Sequence, residues 1–268
     1  MRRLWLIITL LICLPLAAKK PRVTPYLADS ASNTGIAIVV CPGGSYSWLD
    51  MKTEGIGVAE WLQSNGINAF VLRYHVANVS AYMFGYRVLG LGNHYPKMLT
   101  DVENALQQVY DMADSLSIDR ARIGVMGFSA GGHLTLMVST TSQTNSYEPI
   151  DELDKIPCNV NFAVPVYPAY VLEDGADGPN AGKGNDSTMV GEFAFDEKTP
   201  PMCLIHGDDD VYSPMGSVAV YSKLRKMSIP AEMHIYAKVN HGFGGNPTDD
   251  HVGNWLDRVY AWMQKLGF

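Results

Sequence analysis

A mostly parallel β-sheet with helices on both faces is the fold class this sequence predicts, and three observations predict it. Short, nearly uninterrupted apolar runs recur along the chain, as in I-A-I-V-V-C at 36–41 and A-F-V-L-R-Y at 69–74. Such runs mark strands buried on both faces. Between them lie segments whose apolar residues return at threes and fours, the spacing of a helix that covers a sheet. Finally, the run R-I-G-V-M at 122–126 leads through G-F-S-A-G-G at 127–132 into an Ala- and Leu-bearing segment, so that strand, tight turn and helix succeed one another.

Taken in order, residues 1–18 open with Arg2 and Arg3, continue in an apolar run over 4–16 and end in Ala17 and Ala18. That pattern reads as a secretory signal peptide, too short and wrongly flanked for a spanning helix. Cleavage is expected after Ala18, leaving residues 19–268 as one domain of a secreted or periplasmic protein. Cys13 follows Ile12, a poor match to a lipoprotein cleavage site, so lipid anchoring is the lesser alternative. Residues 22–27 read as an outer strand and 28–35 as a polar turn. The run at 36–41 ends in P-G-G-S-Y at 42–46. A helix from about 55 to 64 stops at Asn65-Gly66, and the strand 69–74 follows, which implies a right-handed parallel crossover.

Residues 75–93 are rich in Tyr, Gly and Met without a period and read as a loop or small lid. Over 96–116, Leu99, Val102, Leu106, Val109, Met112, Ala113 and Leu116 mark an amphipathic helix. The strand at 162–167 carries Pro165, which predicts a strand end or a bulge. Residues 173–196 form a polar, Gly-rich excursion, and excursions of that length are often functional. A strand at 202–205, a helix at about 214–227, a strand at 232–236 and a closing helix bearing Val252, Trp255, Val259, Trp262 and Leu266 complete the alternation.

Composition narrows the function. A chain of 268 residues with 47% hydrophobic content is long enough for one large α/β domain. Its net charge of -7, with no stripe of Lys and Arg, excludes a nucleic-acid surface. Beyond the leader the cysteines are Cys41, Cys158 and Cys203, an odd number, so at least one thiol is free. Each sits in or beside a strand, where a buried thiol acts as a small apolar side chain; a bridge between Cys158 and Cys203 is left open. No His/Cys spacing of the kind that holds zinc is present, and neither a metal nor a cofactor is expected.

Ligands of such sheets bind beyond the carboxyl ends of the strands, and four of those junctions carry chemistry. Ser129 stands at the tip of the strand-turn-helix, where the glycines on either side remove side chains that would collide and the Ala130 amide faces the space of a developing oxyanion. His206-Gly-Asp-Asp-Asp210 offers carboxylates after the strand at 202–205, and Asn240-His241-Gly242-Phe243 follows the strand at 232–236. Pro42-Gly43-Gly44-Ser45 is a side-chain-poor turn that can aim the amide of Gly44 or Ser45 at the same oxyanion. Serine, carboxylate and histidine in this chain order, each after a different strand, follow the order of an α/β-hydrolase triad. Serine needs a base that titrates near neutrality, the role of His241, and the imidazole needs a carboxylate to fix its tautomer. His251 starts the last helix and His234 lies inside a strand, so neither is placed to reach Ser129; His133 is expected to be a structural hydrogen-bonder.

The chain resembles α/β-hydrolase esterases of the acetyl-xylan-esterase and xylanase-associated esterase type, related to the hormone-sensitive-lipase branch. The matching stretches are V-V-C-P-G-G-S-Y at 39–46, W-L-x-x-x-G-I-x-A-F-V-L-R-Y at 61–74, R-I-G-V-M-G-F-S-A-G-G-H-L at 122–134, T-P-P-M-C-L-I-H-G-D-D-D at 199–210 and I-P-A-E-M-H-I-Y-A-K-x-N-H-G-F-G at 229–244. The resemblance implies an α/β-hydrolase fold with a small lid or none. It lays the family pattern H-G-x-x-D-x-x-V-P onto residues 206–214, which makes Asp210 the acid, with Asp208 or Asp209 as fallback and Ser213 where valine is usual. The family's oxyanion loop commonly reads G-G-G, and here Ser45 takes the third place. Glu54 belongs to the shared stretch without a derivable role. The segments 75–93 and 173–196 match the pattern least, and substrate choice is expected to lie there.

The sequence therefore implies a secreted serine esterase with Ser129 as nucleophile, His241 as base, Asp210 as orienter, and the amides of Ala130 and Gly44 or Ser45 as oxyanion hole. By resemblance its substrate is a small acyl ester or an acylated polysaccharide, acetyl before feruloyl, with a general small-ester carboxylesterase as alternative. Tyr46 and Trp48 are candidates to stack on a sugar ring or an aromatic acyl group. A prolyl-oligopeptidase-like exopeptidase shares this domain but usually carries a large gating domain for which this chain has no room. A non-catalytic binding module of the same fold typically lacks a triad member, and all three are present here. No nucleic-acid partner or membrane span is expected, and the sequence specifies no oligomeric state.

Overall fold

A computed structural model describes residues 20–77, 80, 96–141, 144–173, 188–245 and 251–268. The expected leader at 1–18, most of the loop at 75–93 and much of the excursion at 173–196 lie outside the described residues. The strands are β1 (Arg22–Tyr26), β2 (Ala37–Cys41), β3 (Asn68–Arg73), β4 (Ile123–Phe128), β5 (Phe162–Val166), β6 (Met202–Gly207) and β7 (Ala231–Tyr236). The helices are α1 (Gly57–Ser64), α2 (Pro96–Met112), α3 (Ala130–Thr140), α4 (Met215–Lys226) and α5 (Trp255–Leu266).

The described strands form one sheet in the order β1-β3-β2-β4-β5-β6-β7. β1 runs antiparallel to β3, and every other pairing is parallel. Chain direction across the sheet reverses between β2 and β4, since β2 is followed outward by β3 and the chain then returns to β2's other side. That switch point opens a crevice beyond the carboxyl ends of β2 and β4, the two strands that lead to residues 42–46 and to Ser129.

The apolar runs serve two cores because successive strand residues point to opposite faces. In β2, Ala37, Val39 and Cys41 face a core shared with α2, α3 and α4, where Val102, Leu106, Leu134 and Leu224 are buried. Ile38 and Val40 face the other core, with Val58 and Leu62 of α1 and Trp255 and Val259 of α5. The Val, Leu and Ile side chains among them each contribute roughly 1.5–3 kcal/mol by leaving water. This two-sidedness also decides the cysteine question: Cys158 lies in the first core and Cys203 in the second, on opposite sides of the sheet, and the three described thiols are buried and not bridged to one another.

Several boundaries differ from the sequence reading for local reasons. α2 ends at Met112 rather than near 116, where the Ile118 amide turns back to the Ala113 carbonyl at 2.8 Å and Ser117 adopts a left-handed φ of 54°. α5 begins at Trp255, so His251 precedes it in a turn while Val252 still packs in the core. Pro165 sits inside β5 opposite Gly127 with the register unbroken, which places it near the strand's end without a bulge. The helix expected from about 55 is preceded by a wider turn, Met51–Ile56, in which the Gly57 amide reaches back to the Lys52 carbonyl. Such widened turns recur at functional sites.

α2 also buries an acid. Glu103 is fully buried and accepts bonds from the Ser146 amide at 3.0 Å and hydroxyl at 2.7 Å. Burial pushes its carboxyl from 4.5 up to about 7, the Ser146 bonds opposing the shift only in part. The folded state then holds a proton that the unfolded chain has released between pH 4.5 and about 7, so stability falls across that window as pH rises. Glu103→Gln should flatten that slope, gaining about 3 kcal/mol over wild type between pH 4.5 and pH 8. Urea midpoints for both proteins at the two pH values check this, and parallel curves would contradict it.

Candidate active site

Four strand ends converge on one place. At the end of β4, Ser129 takes φ 53° and ψ -117°, a backbone region that residues with a side chain rarely occupy. Its amide bonds to the Val166 carbonyl at 3.1 Å, and its own carbonyl accepts from the amides of His133 at 3.0 Å and Ala169 at 3.1 Å. The turn is thus clamped between the end of β5 and the start of α3. A Cβ on Gly131 would drive into the Cys41 carbonyl oxygen, and one on Gly127 into the Gly131 carbonyl oxygen. Only this side-chain-free packing brings α3 close enough to raise Ser129 at the crevice, where it remains largely buried.

His241, in the loop after β7, places Nε2 2.8 Å from Ser129 Oγ and Nδ1 2.8 Å from Asp210 Oδ2. Asp210 follows β6 and its carboxylate is wholly inaccessible. Oδ1 accepts from the Tyr212 amide at 2.8 Å, and Oδ2 also lies 3.4 Å from Nε2 of the buried His206. Burial pushes the Asp210 carboxyl up, but the hydrogen bonds and charges of His206 and His241 outweigh it and hold the group below its ordinary value. The anion therefore accepts from Nδ1–H of His241, which leaves the Nε2 lone pair to accept from the Ser129 hydroxyl. His206 is itself fixed by the Tyr212 carbonyl at 2.9 Å from Nε2 and the Ser217 hydroxyl at 2.8 Å from Nδ1. Of the three acidic residues at 208–210, Asp210 alone reaches the imidazole in this arrangement, while Asp208 and Asp209 are exposed.

The turn at 42–46 closes the other side. Gly43 stands so close that a Cβ on it would come within 2.8 Å of the Ser129 Cβ. Beyond it, Gly44, Ser45 and Tyr46 all take positive φ, at 132°, 51° and 57°. The Gly44 carbonyl receives the amides of Ser47 at 2.9 Å and Trp48 at 3.0 Å. This fold-back corrects one expectation. Tyr46 is turned into the core, 1% exposed, with its hydroxyl 2.7 Å from His133 Nδ1 and its ring stacked on Tyr170, so it offers no face to a ligand. Trp48 is 40% exposed and keeps a ring at the surface beside Gly44. His133 is buried as expected for a structural group. It accepts from the Tyr46 hydroxyl at Nδ1 and donates from Nε2 to Glu192 at 2.7 Å.

Three groups at the site escaped sequence reasoning. Tyr212 and Tyr167 flank the His241 ring at centroid distances of 4.8 and 4.9 Å. Glu54, in the widened turn, is 5% exposed. Its Oε2 accepts from the Gly43 amide at 2.7 Å and its Oε1 from the Tyr167 hydroxyl at 2.8 Å. Burial raises its carboxyl above the ordinary value, the Tyr167 and Gly43 bonds opposing that shift. Burial likewise keeps the Tyr167 phenol protonated, so it is the donor. In sequence Glu54 stands out by its place in the stretch shared with the esterases and as an acid near apolar Ile56 and Val58, but neither feature names its partners.

Among the described residues, Cys203, Glu232 and His234 bring potential metal-ligand atoms within 4.8 Å of one another, a grouping no spacing in sequence reveals. It lies across β6 and β7, apart from the relay. His234 Nε2 is engaged by Glu232 at 2.8 Å, and burial disfavours the Cys203 thiolate that a metal would require.

Residues 26–192 match the BD-FAE family, and residues 169–267 match the prolyl oligopeptidase family. An acetylxylan esterase of Xylanibacter ruminicola is 30% identical over 265 residues, covering 90% of this chain and 49% of the relative. The chain thus spans about half the length of that relative. Among solved structures, an acetyl ester-xyloside bifunctional hydrolase from Caldicellulosiruptor lactoaceticus superposes with a TM-score of 0.74 at 30% identity, covering 92% of this chain and 89% of the other. MGS-M1, an alpha/beta hydrolase enzyme from a Medee basin deep-sea metagenome library, superposes with a TM-score of 0.65 at 26% identity, covering 91% of both chains.

Proposed function

Because this chain has the α/β-hydrolase fold and belongs to the BD-FAE family, we propose that it is an exported serine esterase that removes short acyl groups, acetyl foremost, from plant polysaccharide of the xylan kind. The observation that carries the reading is the unbroken hydrogen-bonded relay from Ser129 through His241 to buried Asp210, each member following a different parallel strand.

The chemistry follows from what each group can do. His241 Nε2 takes the Ser129 proton as Oγ attacks the ester carbonyl carbon. Asp210 stabilises the imidazolium and stays ionised. The carbonyl oxygen becomes an oxyanion beside the amides of Ala130, at the start of α3, and of Gly44 or Ser45. Two such donors lower the barrier because they are aimed before the charge appears, and the α3 dipole favours negative charge at its start. The imidazolium then gives its proton to the departing sugar oxygen. Water, activated by the same imidazole, hydrolyses the acyl-enzyme and frees the acid. No step calls on a metal or an organic cofactor. In this reading Trp48, exposed beside the turn, and Tyr212, against the imidazole, border the substrate, which the exposure of Trp48 and the contact of Tyr212 with His241 support.

Acetate release from acetylated xylan by protein lacking residues 1–18, with Ser129→Ala alongside, tests the reading. Release by the wild type alone supports it. Folded wild type that releases feruloyl groups or cleaves other small esters, but leaves acetylated xylan untouched, would overturn the substrate assignment alone. Cleavage of proline-containing peptides in place of esters would favour the reading that the match of residues 169–267 to the prolyl oligopeptidase family suggests.

A further inference from the structure

Resting on the esterase reading above, we propose that Glu54 and Tyr167 act as one positioning pair that ties the oxyanion turn to the histidine loop, so that the oxyanion amides and the base keep one fixed relation to Ser129. The chain of bonds is continuous. The Gly43 amide donates to Glu54 Oε2 at 2.7 Å, the Tyr167 hydroxyl donates to Oε1 at 2.8 Å, and the same hydroxyl accepts from the Gly244 amide at 3.0 Å. Gly43 precedes Gly44 and Ser45, and Gly244 lies in the loop that carries His241. A second tie runs alongside, from the Gly245 amide to the Thr53 carbonyl at 2.9 Å. The widened turn Met51–Ile56 therefore grips the histidine loop by both backbone and side chain.

Only a carboxylate satisfies these partners. The Gly43 amide and the Tyr167 hydroxyl are both donors, and an ionised carboxyl offers an acceptor to each, whereas an amide side chain would turn an N–H toward one of them. Gly43 is closely packed against this carboxylate and the nucleophile together, since a Cβ there would meet Glu54 Oε2 at 2.7 Å and the Phe128 carbonyl oxygen and the Ser129 Cβ, both at 2.8 Å. Releasing Glu54 thus frees the turn to shift the amides that follow. Tyr167 is held as firmly: it adopts a left-handed φ of 34°, its amide bonds to the Ile205 carbonyl at 2.6 Å, and its ring meets the His241 ring edge-on. Strained backbone of this kind persists where the surroundings over-determine it, and it clusters at active sites.

The test uses Glu54→Gln, Tyr167→Phe and the double variant with p-nitrophenyl acetate, together with inhibition by a boronic acid that forms a tetrahedral adduct on serine. Removing a whole oxyanion donor costs about 10²–10³ in kcat. A misaligned donor should cost about 10- to 100-fold in Glu54→Gln, with KM within about twofold of wild type. Boronate affinity should fall by a similar factor, because it reports transition-state complementarity. Tyr167→Phe should lose kcat in the same sense, and the double variant should be no worse than the weaker single, the mark of groups acting as a unit. Should Glu54→Gln fail to fold, Tyr167→Phe, which keeps the ring, carries the same comparison of kcat, KM and boronate affinity. Near-wild-type kcat in a folded single variant, or losses that multiply in the double, overturns the proposal. An inert wild type would remove the esterase reading and this inference with it, an outcome separable from an active wild type whose variants are equally active.

Discussion

Ser129→Gly and Ser129→Ala should each lose about 10⁴- to 10⁶-fold in kcat toward a small acetyl ester, yet differ from one another in stability. Both delete the hydroxyl that lies within bonding distance of His241 Nε2. At φ 53° and ψ -117°, however, alanine keeps the backbone strain that serine carries and glycine releases it. The relief, of order 1–3 kcal/mol, exceeds the entropy glycine adds to the unfolded chain, about 0.4–1 kcal/mol. The glycine variant should therefore be the more stable by about 1 kcal/mol in urea titrations. A glycine variant less stable than the alanine one by about 0.4–1 kcal/mol would mean that the turn after β4 stores no strain. The comparison separates the cost of holding the nucleophile from the chemistry it performs.

Asp210→Asn should lower kcat by about 10⁴-fold with the fold intact. The Tyr212 amide donates to Oδ1 at 2.8 Å, so the asparagine oxygen stays on that side and its NH₂ turns toward His241 Nδ1. The imidazole then carries its proton on Nε2, where it donates to Ser129 Oγ and no longer accepts from it. Stability reports the same site independently. Because the Asp210 carboxyl lies below its ordinary value of 3.8 in the folded protein, its ionised form stabilises the fold above that pH. This contribution is lost as pH falls through the depressed folded value. Wild type and Asp210→Asn should diverge most near neutrality and converge in acid. An active Asp210→Asn enzyme would move the orienting role to Asp208 or Asp209 and require the loop after β6 to rearrange.

Strands buried on both faces were legible because their sequences are apolar at every position, as in β2 and β4, and the junction residues after them were legible because parallel sheets bind ligands there. Ser129, Asp210 and His241 could be nominated on that basis, and they meet at hydrogen-bond distance. What stayed hidden depends on direction in three dimensions. Tyr46 reads as a surface aromatic after a glycine turn, but three consecutive positive φ values fold it back onto His133. Cys158 and Cys203 read as a possible pair, and the sheet lies between them. Glu54 and Tyr167 stand 113 residues apart and share one bond. Local sequence names no role for either, because Glu54 is specified by its partners, and one of them, Tyr167, comes from beyond β5.

The claim at the centre is that Ser129 is a nucleophile activated by His241. Its most direct test is covalent trapping: the protein is incubated with paraoxon, digested, and each serine-containing peptide is weighed. One diethylphosphoryl group is expected, on Ser129, forming at least about 10²-fold more slowly in His241→Ala. A folded protein that stays unlabelled, or that carries the adduct on another residue while Ser129 remains free, would contradict it.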